Sequence, residues 1–233
     1  MIQYLGLGAD AAEAVRLSLK VAFWAMLWSL PFGLATALVL ARVRFWGKSL
    51  FDGFVHLPLV LPPVVTGYLL LLLFGHNGPL GRFFAGFGVV FAFRWTGAAL
   101  AAAVTAFPLL VRAMRLSLEA VDRRLEEAAG TLGASRIFAF ASVTLPLMLP
   151  GVVAGMVLSF ARSLGEFGAT ITFVSNIPGE TRTIPLAIYT LTQTPGGDPA
   201  ALRLTAVAVT LSLLALIASE WLARNVSRRL GGD

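Results

Sequence analysis

Long uncharged apolar runs alternate with short charged or Gly/Pro-rich segments along the whole chain. Val21–Ala41 carries no charge over 21 residues, the length a helix needs to cross a hydrocarbon core. Gly53–Gly81 is uncharged when His56 and His76 are neutral, and its core, Leu57–Phe74, reads as a second span. Trp95–Val111 gives a third, short span of 17 residues. The fourth has two placements. Hydropathy alone allows Ile137–Ala161; the alternative, Leu149–Val174, is preferred because Pro146 and Pro150 are poor helix-interior residues. Leu204–Ser219 with its flanks is the fifth. Residues 1–20 mix apolar positions with Asp10, Glu13, Arg16 and Lys20, so from Leu7 on they read as a helix lying at the interface rather than as a cleaved signal peptide. Phe83–Phe93 is apolar but too short to span, and reads as an interfacial or re-entrant element. Ser175–Ala200 is punctuated by Pro178-Gly179, Pro195-Gly196-Gly197 and Pro199, a loop with room for one short helix over Thr183–Leu191. The pattern predicts an all-α membrane protein of about five transmembrane helices, forming one transmembrane domain over residues 1–233.

Composition agrees. Hydrophobic residues make up 58% of the 233 positions and charged residues 13%, against roughly 25% charged in soluble domains. The net charge of +6 would suggest nucleic acid in a soluble protein; here its distribution explains it. Basic residues 42, 44, 48, 112, 115, 123, 124, 136, 224, 228 and 229 follow spans one, three and five, whereas only 16, 20, 82, 94, 182 and 203 fall on the other side. That bias puts the N-terminus outside and the C-terminus inside, and makes a nucleic-acid partner unnecessary. There is no cysteine, hence no disulfide or thiolate site, and the two histidines lie far apart; no metal site is expected. Gly47-Lys48-Ser49 resembles the end of a nucleotide-binding loop, but Arg42 stands where its first Gly belongs. No catalytic constellation is evident.

Three local features stand out. LPLVLPPVVTG holds Pro58, Pro62, Pro63, Thr66 and Gly67 within the second span. Such prolines free backbone carbonyls, which the membrane interior tolerates only beside protein or water. Pro62, Pro63, Thr66 and Gly67 are therefore hinge or gate candidates, the alternative being a plain proline kink. Arg162 and Glu166, four residues apart, share one helical face within the fourth span. They read as a self-compensated structural pair, or else as part of an outer gate or subunit contact, with Arg162 a conceivable oxyanion ligand. Gly151 and Gly155 form a small-xxx-small pair suited to close helix contact.

The charged island after the third span ends in EAAGTLGASRIFAFASVTLP, Glu127–Pro146. Glu127-Ala128-Ala129, then Gly133, then Val143-Thr144-Leu145-Pro146 resembles the EAA-x3-G-x9-I-x-L-P loop of the membrane subunits of binding-protein-dependent ABC importers, departing only in Val143 for Ile. Leu57–Gly81 and Ala161–Thr190 look like the permease of molybdate/tungstate importers; sulfate/thiosulfate permeases are similar around Leu164-Gly165-Glu166-Phe167-Gly168 but are usually longer. The resemblance covers about residues 12–225 and implies the type I importer fold. Glu127, Ala128, Ala129 and Gly133 would form a coupling helix docked on a separate ATPase, which would carry ATP and Mg; this chain would hold no cofactor. The implied partners are a second copy of the chain, two ATPase subunits, and a periplasmic or lipid-anchored oxyanion-binding protein. The implied site is the cytoplasmic membrane of a bacterium or archaeon, and the implied cargo molybdate, with tungstate. Sulfate or another oxyanion is the alternative cargo, and a non-transport membrane protein the alternative class.

Overall fold

In the computed structural model residues 8–230 are described, with side chains up to residue 218 and for Trp221; the basic positions Arg224, Arg228 and Arg229, together with Glu220, lie outside the described side chains, and residues 1–7, including Leu7, lie outside the description. Among the described residues there is no strand. The helices are α1 (Ala9–Arg42), α2 (Lys48–Val60), α3 (Pro63–Phe74), α4 (Pro79–Ala85), α5 (Trp95–Ala120), α6 (Arg123–Thr131), α7 (Arg136–Ala139), a π-helical turn (Phe140–Thr144), α8 (Leu145–Leu164), α9 (Gly168–Val174), α10 (Ile184–Thr192) and α11 (Asp198–Leu230). Four helical segments are long and apolar enough to cross a membrane, and α2 with α3 make a fifth if counted as one broken span.

Helix α5 is the centre of the bundle. Its alanines Ala98, Ala99, Ala101, Ala102 and Ala106 are fully buried. Helix α1 packs on them through Val21, Ala25 and Gly33. A Cβ on Gly33 would come within 2.8 Å of Leu110 Cδ2. On the other side Gly151 and Gly155 bring α8 against Ala113, Ser117 and the Leu110 carbonyl of α5, and Ser117 Oγ donates to the Met148 carbonyl at 3.2 Å. The Gly151/Gly155 pair thus marks a helix contact, as small residues do where lipid gives helices no other reason to associate.

Three boundaries differ from the sequence expectation. Residues 9–20 do not form a separate interfacial helix; they continue into span one as the 34-residue α1, because nothing between Lys20 and Val21 breaks the helix. The second span does not start at Leu57. Each residue before a proline is pushed out of the α region, so consecutive Pro62 and Pro63 force both Leu61 (ψ 139°) and Pro62 (ψ 132°) to be extended. The chain bends by 112° there, and the rod restarts with Pro63 at its first position. The fourth span follows the placement that hydropathy alone allows, Ile137–Ala161, and not the preferred Leu149–Val174. One helical run extends from Arg136 to Leu164, ten residues short of Val174, and α9 is a separate short helix. Pro146 does not end the run because the π turn immediately before it loosens the ladder where its ring would meet the Ser142 carbonyl. The short helix expected at Thr183–Leu191 is present as α10, its Ile184 N–H donating to Ser18 Oγ of α1 at 2.7 Å.

Candidate functional site: an exposed helix and a pair of helix breaks

Helix α6 is nine residues long and buries none of them. Asp122 caps it, its carboxylate accepting from the Arg124 N–H at 2.9 Å, a favourable arrangement at a helix N-terminus. Its end is a Schellman motif: Gly133 lies at φ +88°, the Ala134 N–H donates to the Ala129 carbonyl at 3.0 Å, and the Gly133 N–H to the Gly130 carbonyl at 3.0 Å. Glu127, Ala128 and Gly133 are exposed and Ala129 is half-buried. Beyond the turn, Leu132 (89% exposed), Ile137 (82%) and Phe138 stand in the open. Ala129, Leu132, Gly133 and Phe138 line an open groove of about 590 Å³. A helix with no core of its own, a slim Ala-Ala face and apolar residues left uncovered is shaped to be packed by another protein.

Little apolar burial holds α6 to the bundle; polar ties do. Arg42, at the end of α1, pairs with Glu126 at 2.7 Å; the Thr144 hydroxyl of the π turn donates to the same carboxylate oxygen. Arg123 reaches the Ala41 carbonyl at 3.3 Å. Arg42, Arg123 and Glu126 fall outside the motif that marks the site in the sequence, Thr144 is one of its unspecified positions, and Glu126 reads there only as one more charge in the island.

The hinge candidates and the ion pair, separate in the sequence, are brought together. Gly67 of α3 packs so closely on α9 that a Cβ there would lie 2.5 Å from the Ala169 carbonyl oxygen and 2.9 Å from Thr172 Cβ, and one on Gly168 would lie 2.7 Å from Pro63 Cβ. The Pro62–Pro63 bend therefore sits against the break between α8 and α9. Glu166, 3% exposed, organises that break. One carboxylate oxygen accepts from the Ala169 N–H at 2.9 Å, capping α9, and the other pairs with Arg162 at 2.9 Å. The pair joins the end of α8 to the start of α9. Thr66 is buried and borders a cavity of about 630 Å³ with Trp28, Phe32, Phe54 and Phe107; that lining offers an oxyanion no cation. Among the described residues no group of three or more His, Asp or Glu could hold a metal ion.

This geometry gives a mutational test. Arg162→Gln leaves Glu166 buried without its cation, which is expected to destabilise the protein by about 2–3 kcal/mol. In Arg162→Gln/Glu166→Gln the amide oxygen still caps α9 and no charge is stranded, so thermal unfolding of the purified protein should show much of the loss recovered. A double variant as unstable as the single one, or less stable, would contradict the structural role.

Comparison with known proteins agrees with the geometry. The chain is 61% identical over 220 residues, 94% of this chain and 96% of the relative, to the molybdenum transport system permease protein ModB of Escherichia coli K12. It is 40% identical over 96% of its length, and 80% of the relative's, to the sulfate transport system permease protein CysT of Salmonella typhimurium. A chain in the crystal structure of a bacterial ABC transporter involved in the import of the acidic polysaccharide alginate superposes with a TM-score of 0.75, covering 97% of this chain and 83% of that one at 18% identity, which shows a shared fold. Residues 29–231 match the model of the binding-protein-dependent transport system inner membrane component, so a multi-pass membrane chain with an exposed helix of this design belongs to that family.

Proposed function

We propose that the chain is the transmembrane subunit of an ATP-driven importer that carries molybdate, with tungstate, across the cytoplasmic membrane. The observation that carries the reading is α6, an exposed helix with a glycine-closed end and an uncovered groove beside it. Two copies of the chain form the translocation unit, with the path between them. Each α6 seats in a separate ATPase that binds ATP and Mg, and a binding protein delivers the oxyanion to the opposite face, where the 75–97 and 175–200 segments lie. The Lys/Arg bias supports α6 facing the cytoplasm, where ATP is available.

The bundle offers a route for motion from α6 to the middle of the membrane. Thr144, at the foot of α8, is tied to α6, and Arg162 lies 18 residues further along the same rod, about 27 Å away at 1.5 Å per residue. There the rod breaks against the Pro62–Pro63 bend. When ATP draws the two ATPases together, displacement of α6 moves the lower end of α8, and the two facing breaks absorb the change as a hinge. The oxyanion is cargo and is chemically unchanged; this chain's part is to open and close a path.

The cargo reading rests on the 61% identical molybdenum permease, and the 40% identical sulfate permease makes sulfate the second reading. The test uses proteoliposomes that hold this chain with its ATPase. Binding protein loaded with molybdate or tungstate should raise ATP hydrolysis, whereas sulfate or phosphate should not. Stimulation by sulfate alone would transfer the cargo to the second reading.

A further inference from the structure

Of the motif residues, Glu127, Ala128 and Gly133 are exposed and Ala129 is half-buried. That leaves open how a push on α6 reaches the bundle. The linkers on either side are short: Val121–Asp122, with Val121 buried, and Leu132–Ser135. Helix α6 buries no residue that could act as a packed wedge. Arg123 ties α6 to α1 through the Ala41 carbonyl at 3.3 Å; what ties it to α1 and α8 at once is one carboxylate. Glu126 Oε1 accepts from Arg42 at 2.7 Å and from the Thr144 hydroxyl. Arg42 is the last residue of α1, where its charge also suits the helix C-terminus. Thr144 is fully buried and is the last residue of the π turn that leads into α8. One oxygen atom therefore joins α6, α1 and α8. π turns are irregularities that recur at functional sites, and a load applied at Thr144 falls on this one at the foot of the α8 rod.

We infer that Glu126 is the positioning residue that transmits displacement of the coupling helix into the bundle, with Arg42 and Thr144 as its two receivers. Glu127 and its neighbours hold the ATPase; Glu126 holds the membrane domain. This rests on the importer reading above. It separates two properties that a docking residue alone would lose together: engagement of the ATPase and the yield of transport per ATP.

The experiment measures oxyanion imported per ATP hydrolysed in proteoliposomes containing the full complex, with molybdate-loaded binding protein outside. In Glu126→Ala the ATPase stays bound and hydrolysis continues, while import per ATP falls by about tenfold, inside the 5–150-fold range of coupling between distant sites. Glu126→Gln keeps an acceptor for Thr144 and loses the charge facing Arg42, so it should fall between wild type and Glu126→Ala. Thr144→Val removes only the α8 branch and should also give an intermediate ratio. An unchanged ratio in Glu126→Ala overturns the inference. So does loss of ATPase binding in both Glu126→Ala and Glu126→Gln, which would make Glu126 a docking or folding residue. Wild-type complex that shows no import at all would instead overturn the importer reading, and this inference with it.

Discussion

Gly133→Val is expected to abolish the rise in ATP hydrolysis that a loaded binding protein produces, while the membrane bundle stays folded. Gly133 lies at φ +88°, a conformation that costs a residue with a Cβ about 1–3 kcal/mol and is worst for a β-branched one. A Cβ there would touch nothing within 4 Å, so the cost is purely one of backbone conformation. It is relieved by giving up the Schellman turn, whose hydrogen bonds from Gly133 and Ala134 close α6. The chain then leaves the helix in another direction, and Leu132, Ile137 and the groove beside Ala129 no longer present one surface. Since α6 buries nothing, the bundle has no packing to lose. Stimulated hydrolysis should drop by about tenfold or more, with an unfolding temperature close to wild type. Glu127→Lys changes an exposed side chain on the same face and should give the same separation of activity from stability. Normal stimulated hydrolysis in both variants would remove α6 from the coupling role.

Gly67→Ala should do the opposite and damage the fold itself. The added methyl would lie 2.5 Å from the Ala169 carbonyl oxygen and 2.8 Å from its Cα. Both are backbone atoms, with no flexible side chain to swing away. Helices α3 and α9 must move apart, and with them the contact between the Pro62–Pro63 bend and the α8–α9 break. Overpacking of this kind costs about 3 kcal/mol, occasionally more. Gly53→Ala is the internal comparison. Gly53 lies within α2 and a Cβ there meets nothing within 4 Å, so replacing glycine in a helix should be neutral or stabilising by about 0.5–1 kcal/mol. Thermal unfolding of the two variants side by side reads the difference. Equal stability would mean that α3 and α9 do not approach as described.

The two sites differ in how readily the sequence discloses them. The exposed helix is local: its motif and its terminal glycine lie within the twenty residues Glu127–Pro146, and a left-handed glycine after a helix needs no tertiary context. The proline bend is local too, since two successive prolines dictate their own and their predecessors' dihedrals. Arg162 and Glu166 pair at helical spacing as expected, yet the role of Glu166 as the cap of α9 follows from a break at Gly165–Phe167 that hydropathy passes over. The fourth span ends at Leu164, three residues past the end of the uncharged run at Ala161; the preferred end at Val174 overlooks that Glu166 caps a new helix there. Hydropathy alone allows the run through Pro146; the proline argument set against it does not hold, because the π turn that accommodates Pro146 leaves no compositional mark. The Arg42–Glu126–Thr144 junction joins residues 84 and 18 positions apart, and pairing across such distances appears only once the helices are placed.

The most direct test of the central claim is accumulation of labelled molybdate by proteoliposomes containing this chain and its ATPase, with binding protein on one face and ATP supplied to the other. Uptake is expected only when ATP is on the face of α6 and binding protein on the opposite face, and none when the chain is reconstituted alone. Uptake by the chain alone, or uptake indifferent to ATP, would contradict that claim.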